Sequence, residues 1–120
     1  MKNKTLVLGA STNPNRYSNI AIKRLRDKKL SVVALGLKKG KVLDVILDDE
    51  KQDYENIDSV TLYLNPKRQK EYYNYIIGLK PRRVIFNPGT ENAEFEKLLV
   101  KNNIEVEIAC TLVLLSTNQY

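Results

Sequence analysis

The chain has 120 residues, 42% hydrophobic and 28% charged, which is the composition of one globular domain, and residues 1–120 are read as a single unit. The absence of histidine and the single cysteine, Cys110, exclude an internal disulfide, a structural zinc site and a Ser-His-Asp triad. A net charge of +6, from 20 Lys+Arg against 14 Asp+Glu, favours anionic partners, and no apolar run reaches the roughly 18 residues of a membrane span. Met1 to Lys4 pass straight into Thr5 to Leu8, too short an apolar run for a signal segment, so a cytoplasmic location is expected.

Taken in chain order, apolar runs alternate with helical patterns. Thr5 to Gly9 reads as a short buried strand. Ser18 to Lys29 reads as a helix capped by Ser18 or Asn19, with Ile22 and Leu25 facing inward. Ser31 to Leu35 is a second strand, and residues 41–47 form an extra small strand. Val60 to Leu64 is a third. Pro66 opens a helix with Tyr72, Tyr73, Ile76 and Ile77 on one face, closed by Gly78. Arg83 to Phe86 is the fourth strand. Thr90 is read as the cap of a helix that carries Glu91 and Glu94 in its first turn and buries Phe95, Leu98 and Leu99. Ile104 to Ile108 is the fifth strand, and Thr111 to Leu115 adds a short final element. This alternation predicts an α/β fold: a doubly wound, Rossmann-like, mainly parallel five-stranded sheet with helices on both faces.

Such sheets bind ligands beyond the carboxyl ends of their strands, near the point where strand order reverses. The first of those ends, Gly9 to Asn19, has the content of a phosphate cradle. Gly9 lets the backbone turn out of the strand, Ser11, Thr12 and Asn13 offer donors, and Arg16 supplies a planar fork. Ser18 sits where the helix begins, and its free N–H groups favour an anion. The loop matches neither G-x-G-x-x-G nor the P-loop pattern. At the end of the second strand, an NAD site places an acid to accept the ribose hydroxyls. Here Leu35-Gly36-Leu37 is followed by Lys38 and Lys39, with no carboxylate until Asp44. Two ammonium groups suit a ribose bearing an extra phosphate, as in coenzyme A or NADP. Asn65 after the third strand, and Pro88 with Gly89 after the fourth, complete the candidate cofactor-binding set. No catalytic or metal-binding residue is assigned.

The stretch Gly9-Ala10-Ser11-Thr12-Asn13-Pro14-Asn15-Arg16-Tyr17-Ser18 resembles the V-G-A-S-x-x-P-x-R-x-S opening of small stand-alone CoA-binding-domain proteins, themselves similar to the nucleotide-binding part of the succinyl-CoA synthetase α subunit. The likeness continues through Ile57-Asp58-Ser59-Val60 and Asn87-Pro88-Gly89 to Ile104 to Cys110. It implies a Rossmann-like fold that binds coenzyme A through Ser11, Pro14, Arg16 and Ser18 and through the region Leu35 to Lys38. Gly36-Leu37 stands where that family often has Asn-Pro, which bears on the adenine and 3′-phosphate contacts more than on the pyrophosphate loop. The synthetases' phosphohistidine has no counterpart in a chain without histidine.

The leading expectation is a CoA-binding protein without catalysis of its own, regulatory or a carrier. One alternative is an NADP- or CoA-dependent enzyme that borrows residues from a partner, with Cys110 as its reactive group. A second is a basic nucleic-acid or protein interaction module. Nucleic acid is disfavoured because no RNP-like motif accompanies the seven tyrosines. A protein partner and any oligomeric state are left open.

Overall fold

The first strand lies at the middle of the sheet and is buried on both faces. In β1 (Lys4–Ala10), Leu6 and Leu8 enter one apolar cluster and Val7 the other, as a pleat of period two requires, and an irregularity between Leu8 and Ala10 brings Ala10 onto the Val7 face. The structure, a computed structural model, describes residues 4–120, so Met1 to Asn3 of the N-terminal reading lie outside it. After β1 come α1 (Tyr17–Asp27), β2 (Ser31–Gly36), β3 (Gly40–Val42), β4 (Val45–Asp48) and β5 (Ile57–Leu62). They are followed by α2 (Pro66–Gln69), a 3-10 turn over Lys70–Tyr72, α3 (Tyr73–Leu79), β6 (Arg83–Phe86), α4 (Ala93–Lys101), β7 (Glu105–Ile108) and α5 (Thr111–Ser116).

The sheet order is β3-β4-β2-β1-β5-β6-β7, with every pairing parallel except β3 against β4. Leaving β3 aside, this is the 3-2-1-4-5-6 order of doubly wound nucleotide folds, reversing between β1 and β5. The chain is an α/β Rossmann-like domain.

Seven strands replace the expected five. The segment read as one small strand is a hairpin, β3 and β4, turning at Leu43 with φ of 53°. Asp44 in that turn accepts hydrogen bonds from Arg26 Nε and Nη2 at 2.9 and 2.7 Å, which ties the hairpin to α1. The third expected strand also shifts: it runs Ile57–Leu62, and Tyr63 and Leu64 turn out beyond it.

Helices α3 and α4 cover one face. Ile76, Phe95 and Leu99 are fully buried against Leu6, Leu8 and Phe86, each worth about 1.5–3 kcal/mol of transfer free energy. Phe95 stacks on Tyr73 at 4.4 Å and meets Phe86 edge-on at 5.8 Å. The helix expected to end at Gly78 runs one residue further and turns at Lys80, which has φ of 53°, and this carries Leu79 onto the core.

On the other face α1 and α5 press Ile22, Leu25 and Leu115 onto Val7, Ala34 and Leu47. Because α5 has only six residues, part of the sheet over β5 to β7 is filled by polar groups instead. Arg83, at the start of β6, is only 5% exposed. It donates to Ser59 Oγ and Glu107 Oε1, both at 2.8 Å, and lies over the Tyr120 ring. A buried guanidinium is tolerated when its donors are matched in this way.

Beside it, Arg82 Nε and Nη2 grip both oxygens of Asp58 at 2.9 and 3.0 Å. That hydrogen-bonded guanidinium holds the Asp58 carboxyl below the ordinary carboxylate range. A depressed folded-state pKa means the pair's contribution is complete above about pH 4 and is lost as pH falls through the lower folded value. Arg82→Leu is therefore expected to cost about 1 kcal/mol at pH 7, since Arg82 is half exposed, and progressively less as the pH falls towards about 2. Urea melts of both chains at the two pH values measure this, and an equal loss at pH 2 would remove the ion pair as its cause.

Candidate functional site

The reversal of strand order leaves a crevice where the loops after β1 and β5 diverge, and the main cleft lies there with a volume of about 610 Å³. Its floor is built from backbone. Gly9, one residue before the end of β1, has φ of 95°, and a Cβ there would sit 2.9 Å from the Tyr63 carbonyl group. Ser11, Thr12 and Asn13 follow along the wall, with Arg16, Tyr17 and Ser18 above them.

The loop is shaped by its own polar groups. Asn13 N–H donates to Ser11 Oγ at 3.0 Å, Asn15 N–H to Asn13 Oδ1 at 3.0 Å, and Arg16 N–H to the Asn13 carbonyl at 3.1 Å. Asn19 donates from Nδ2 to the Ser11 carbonyl at 3.0 Å and is 2% exposed.

The start of α1 corrects the sequence reading. The N-cap is Arg16, in an extended conformation, and neither Ser18 nor Asn19 caps the helix. Both are buried in its first turn because the Pro14-Asn15-Arg16 turn brings the chain into helix one residue earlier. No side chain caps the first-turn N–H groups and no acidic residue lies in that turn. The positive end of an 11-residue helix therefore faces the cleft without an internal counter-charge.

At the β2 end, Leu37 and Lys38 line the cleft. Lys39 is exposed and outside the lining, so one of the two expected ammonium groups reaches the site. Pro14 is exposed beyond the rim. Leu35 is 1% exposed and belongs to the core, packed there because β2 pairs with β1 along its length. Gly36 is also outside the lining, and its part is steric: a Cβ would run into the Ala10 carbonyl oxygen. Asn65, Pro88 and Gly89 do line the cleft, at the ends of β5 and β6. Gly9, Ser11, Thr12, Asn13, Arg16, Ser18, Lys38, Asn65, Pro88 and Gly89 are thus gathered on one surface.

Leu37 falls in the expected region Leu35 to Lys38, and sequence reasoning missed Ala10, Tyr17, Tyr63, Leu64, Arg68 and Thr90, which share that surface. Arg68, three residues past Asn65 in the first turn of α2, is the one whose position could have been read, because the β5 end was already a candidate wall. Thr90 was assigned as a helix cap and is not one. Its hydroxyl donates to the Asn87 carbonyl at 2.8 Å, closing a tight turn, and Asn92 caps α4 by accepting from Phe95 N–H.

Buried amides fix the β5 and β6 loops. Gln69 donates from Nε2 to the carbonyls of Leu64 and Thr90, both at 2.8 Å, and accepts from Asn92. Asn87 donates to Thr61 Oγ1 and the Leu62 carbonyl and accepts from Thr111 N–H at 2.8 Å, so it caps α5 from the end of β6. Asn87→Leu would leave Thr111 N–H and the Leu62 carbonyl buried and unpaired. The expected loss is about 2–4 kcal/mol, measured by denaturant titration. A loss below about 0.5 kcal/mol would show that water replaces the amide.

The cleft's titratable groups are Arg16, Lys38, Arg68, Tyr17 and Tyr63, with no Asp or Glu in its lining. Burial pushes the Tyr63 phenol up to about 12, so it stays protonated at neutral pH. Cys110 lies outside the lining, half-buried at the N-cap of α5. Among the described residues no cluster of three or more Cys, Asp and Glu could hold a metal, and no helix is long and apolar enough to cross a membrane.

A doubly wound sheet with a cationic cleft over its switch point is the architecture of nucleotide-binding Rossmann domains. The chain belongs to the CoA binding domain family, whose model matches residues 3–116. It is similar to the crystal structure of an uncharacterized protein at 48% identity, with a TM-score of 0.95 over 100% of this chain and 99% of that one. A hypothetical protein from Pyrococcus horikoshii is 29% identical, with a TM-score of 0.81 over 93% of this chain and 80% of that one. A Thermus thermophilus protein shares the fold at 20% identity, with a TM-score of 0.86 over 99% of this chain and 91% of that one. Among curated proteins, none matches.

Proposed function

We propose that the protein binds coenzyme A in the cleft between the β1 and β5 ends, as a carrier or regulatory protein without catalysis of its own. The observation that carries this reading is the charge of the cleft: Arg16, Lys38 and Arg68 line it and no carboxylate does. The pyrophosphate would meet the uncapped start of α1 and the Arg16 fork. Lys38 stands where an NAD site carries its acid, and would meet the 3′-phosphate. The absence of catalysis is supported by the lining itself. It holds no His, Asp, Glu or Cys, and the Tyr63 phenol stays protonated at neutral pH, so it offers no general base.

Calorimetry with CoA, dephospho-CoA, NAD and NADP tests the reading. CoA is expected to bind at micromolar strength and dephospho-CoA about tenfold more weakly, as the loss of one charge-assisted contact requires. Lys38→Ala should abolish that tenfold difference. Preference for NADP over CoA would turn the reading towards a reductase. No heat and no thermal shift with millimolar CoA would end it.

A further inference from the structure

Resting on the reading of the cleft as a CoA site, we propose that the protein selects CoA thioesters whose acyl group ends in a carboxylate, with Arg68 as the residue that selects them. The strand ends meet the cleft in the order β2, β1, β5, β6, about 4.8 Å apart, so the floor runs roughly 14 Å from Lys38 to Pro88. A ligand with its 3′-phosphate at Lys38 and its pyrophosphate at the start of α1 must run its pantetheine arm across β5 towards β6. That arm has two amides and a thiol and no negative charge.

Arg68 stands on this same half, half-buried in the lining. Arg26, Arg82 and Arg83 each have a carboxylate partner, and Arg68 has no ion pair among the described residues. Glu91, the acid on the nearby rim, accepts instead from Gly89 N–H at 2.7 Å. The helical turn that carries Arg68 is held in place. Asn65 caps it by accepting from Arg68 N–H at 2.9 Å, and the neighbouring Gln69 is bonded on both sides. A half-buried guanidinium facing an uncharged stretch of ligand lacks a counter-charge, and a carboxylate matches its fork. The acyl group is the part of the ligand that can bring one.

The test is calorimetry of the full chain with CoA, acetyl-CoA, malonyl-CoA and glutaryl-CoA, repeated with Arg68→Gln and Arg68→Lys after melting curves show both variants folded. At least one carboxylated thioester is expected to bind the wild type tenfold or more tightly than acetyl-CoA. Arg68→Gln should bring the affinity ratio of carboxylated thioester to acetyl-CoA close to one, and Arg68→Lys should keep part of the preference. Equal binding of acetyl-CoA and both carboxylated thioesters overturns the inference and leaves the CoA reading standing. A parallel loss of every ligand in Arg68→Gln also overturns it, by placing the guanidinium on the phosphates. Failure of the wild type to bind CoA itself overturns both.

Discussion

A Gly36→Ala chain is expected to melt roughly 5–12 °C below the wild type, the shift that corresponds to an overpacking cost of about 1–3 kcal/mol in a domain of this size. The cause is a single close approach. Where β2 ends, Gly36 pairs with Ala10 across the irregularity between Leu8 and Ala10, and a Cβ would run into the Ala10 carbonyl oxygen. Backbone cannot swing aside as a flexible side-chain tip can, so the strands must part or the end of β1 must rotate. Either response moves Ser11, and with it the loop that Asn19 holds through the Ser11 carbonyl. CoA affinity should therefore fall along with stability. Gly78→Ala is the control, since its added Cβ meets nothing within 4 Å and the residue lies inside α3. It should be stabilising by roughly 0.5–1 kcal/mol through helix propensity. Equal melting temperatures for Gly36→Ala and the wild type would show that the two strand ends have slack.

The parts of this architecture legible in the sequence are those set by local pattern. Continuous apolar runs such as Thr5 to Leu8 and Val84 to Phe86 mark strands buried on both faces, and their alternation with helical segments leaves few topologies. The β3–β4 hairpin escaped because its turn is made by Leu43 and Asp44, with no Gly or Asn to signal a left-handed residue; Arg26 on a distant helix pins it. The caps failed for a related reason. Ser18 and Thr90 are good capping residues by type, but Ser18 is buried in the first helical turn and the Thr90 hydroxyl closes its own turn on Asn87. The candidate site was read best at the first loop, where donors and cation lie within a few residues of each other. Arg68 was hidden among Lys67 and Lys70, which look the same in one dimension, and only the bonds of Gln69 fix which of the three faces the cleft.

The largest effect on ligand binding is expected from Arg16→Ala. Its side chain is exposed and takes no part in capping, so the fold does not depend on it. What the fold uses is Arg16 backbone: the N–H donates to the Asn13 carbonyl, and the carbonyl accepts from Asn19 and Ile20 N–H at 3.0 and 3.2 Å. Alanine keeps all three, so stability should stay within about 0.5 kcal/mol of wild type. A charge-assisted hydrogen bond contributes about 1.5–3 kcal/mol, so loss of one such contact to the diphosphate should make CoA bind roughly 10- to 150-fold more weakly. Lysine at 16 keeps the charge and loses the fork, and should fall between the two. Because the contact lies at an open rim, the difference between wild type and Arg16→Ala should shrink as salt rises from about 0.05 to 0.5 M. A folded Arg16→Ala chain that binds CoA as tightly as the wild type would move the pyrophosphate away from the start of α1, and the reading of this loop as a phosphate cradle would go with it.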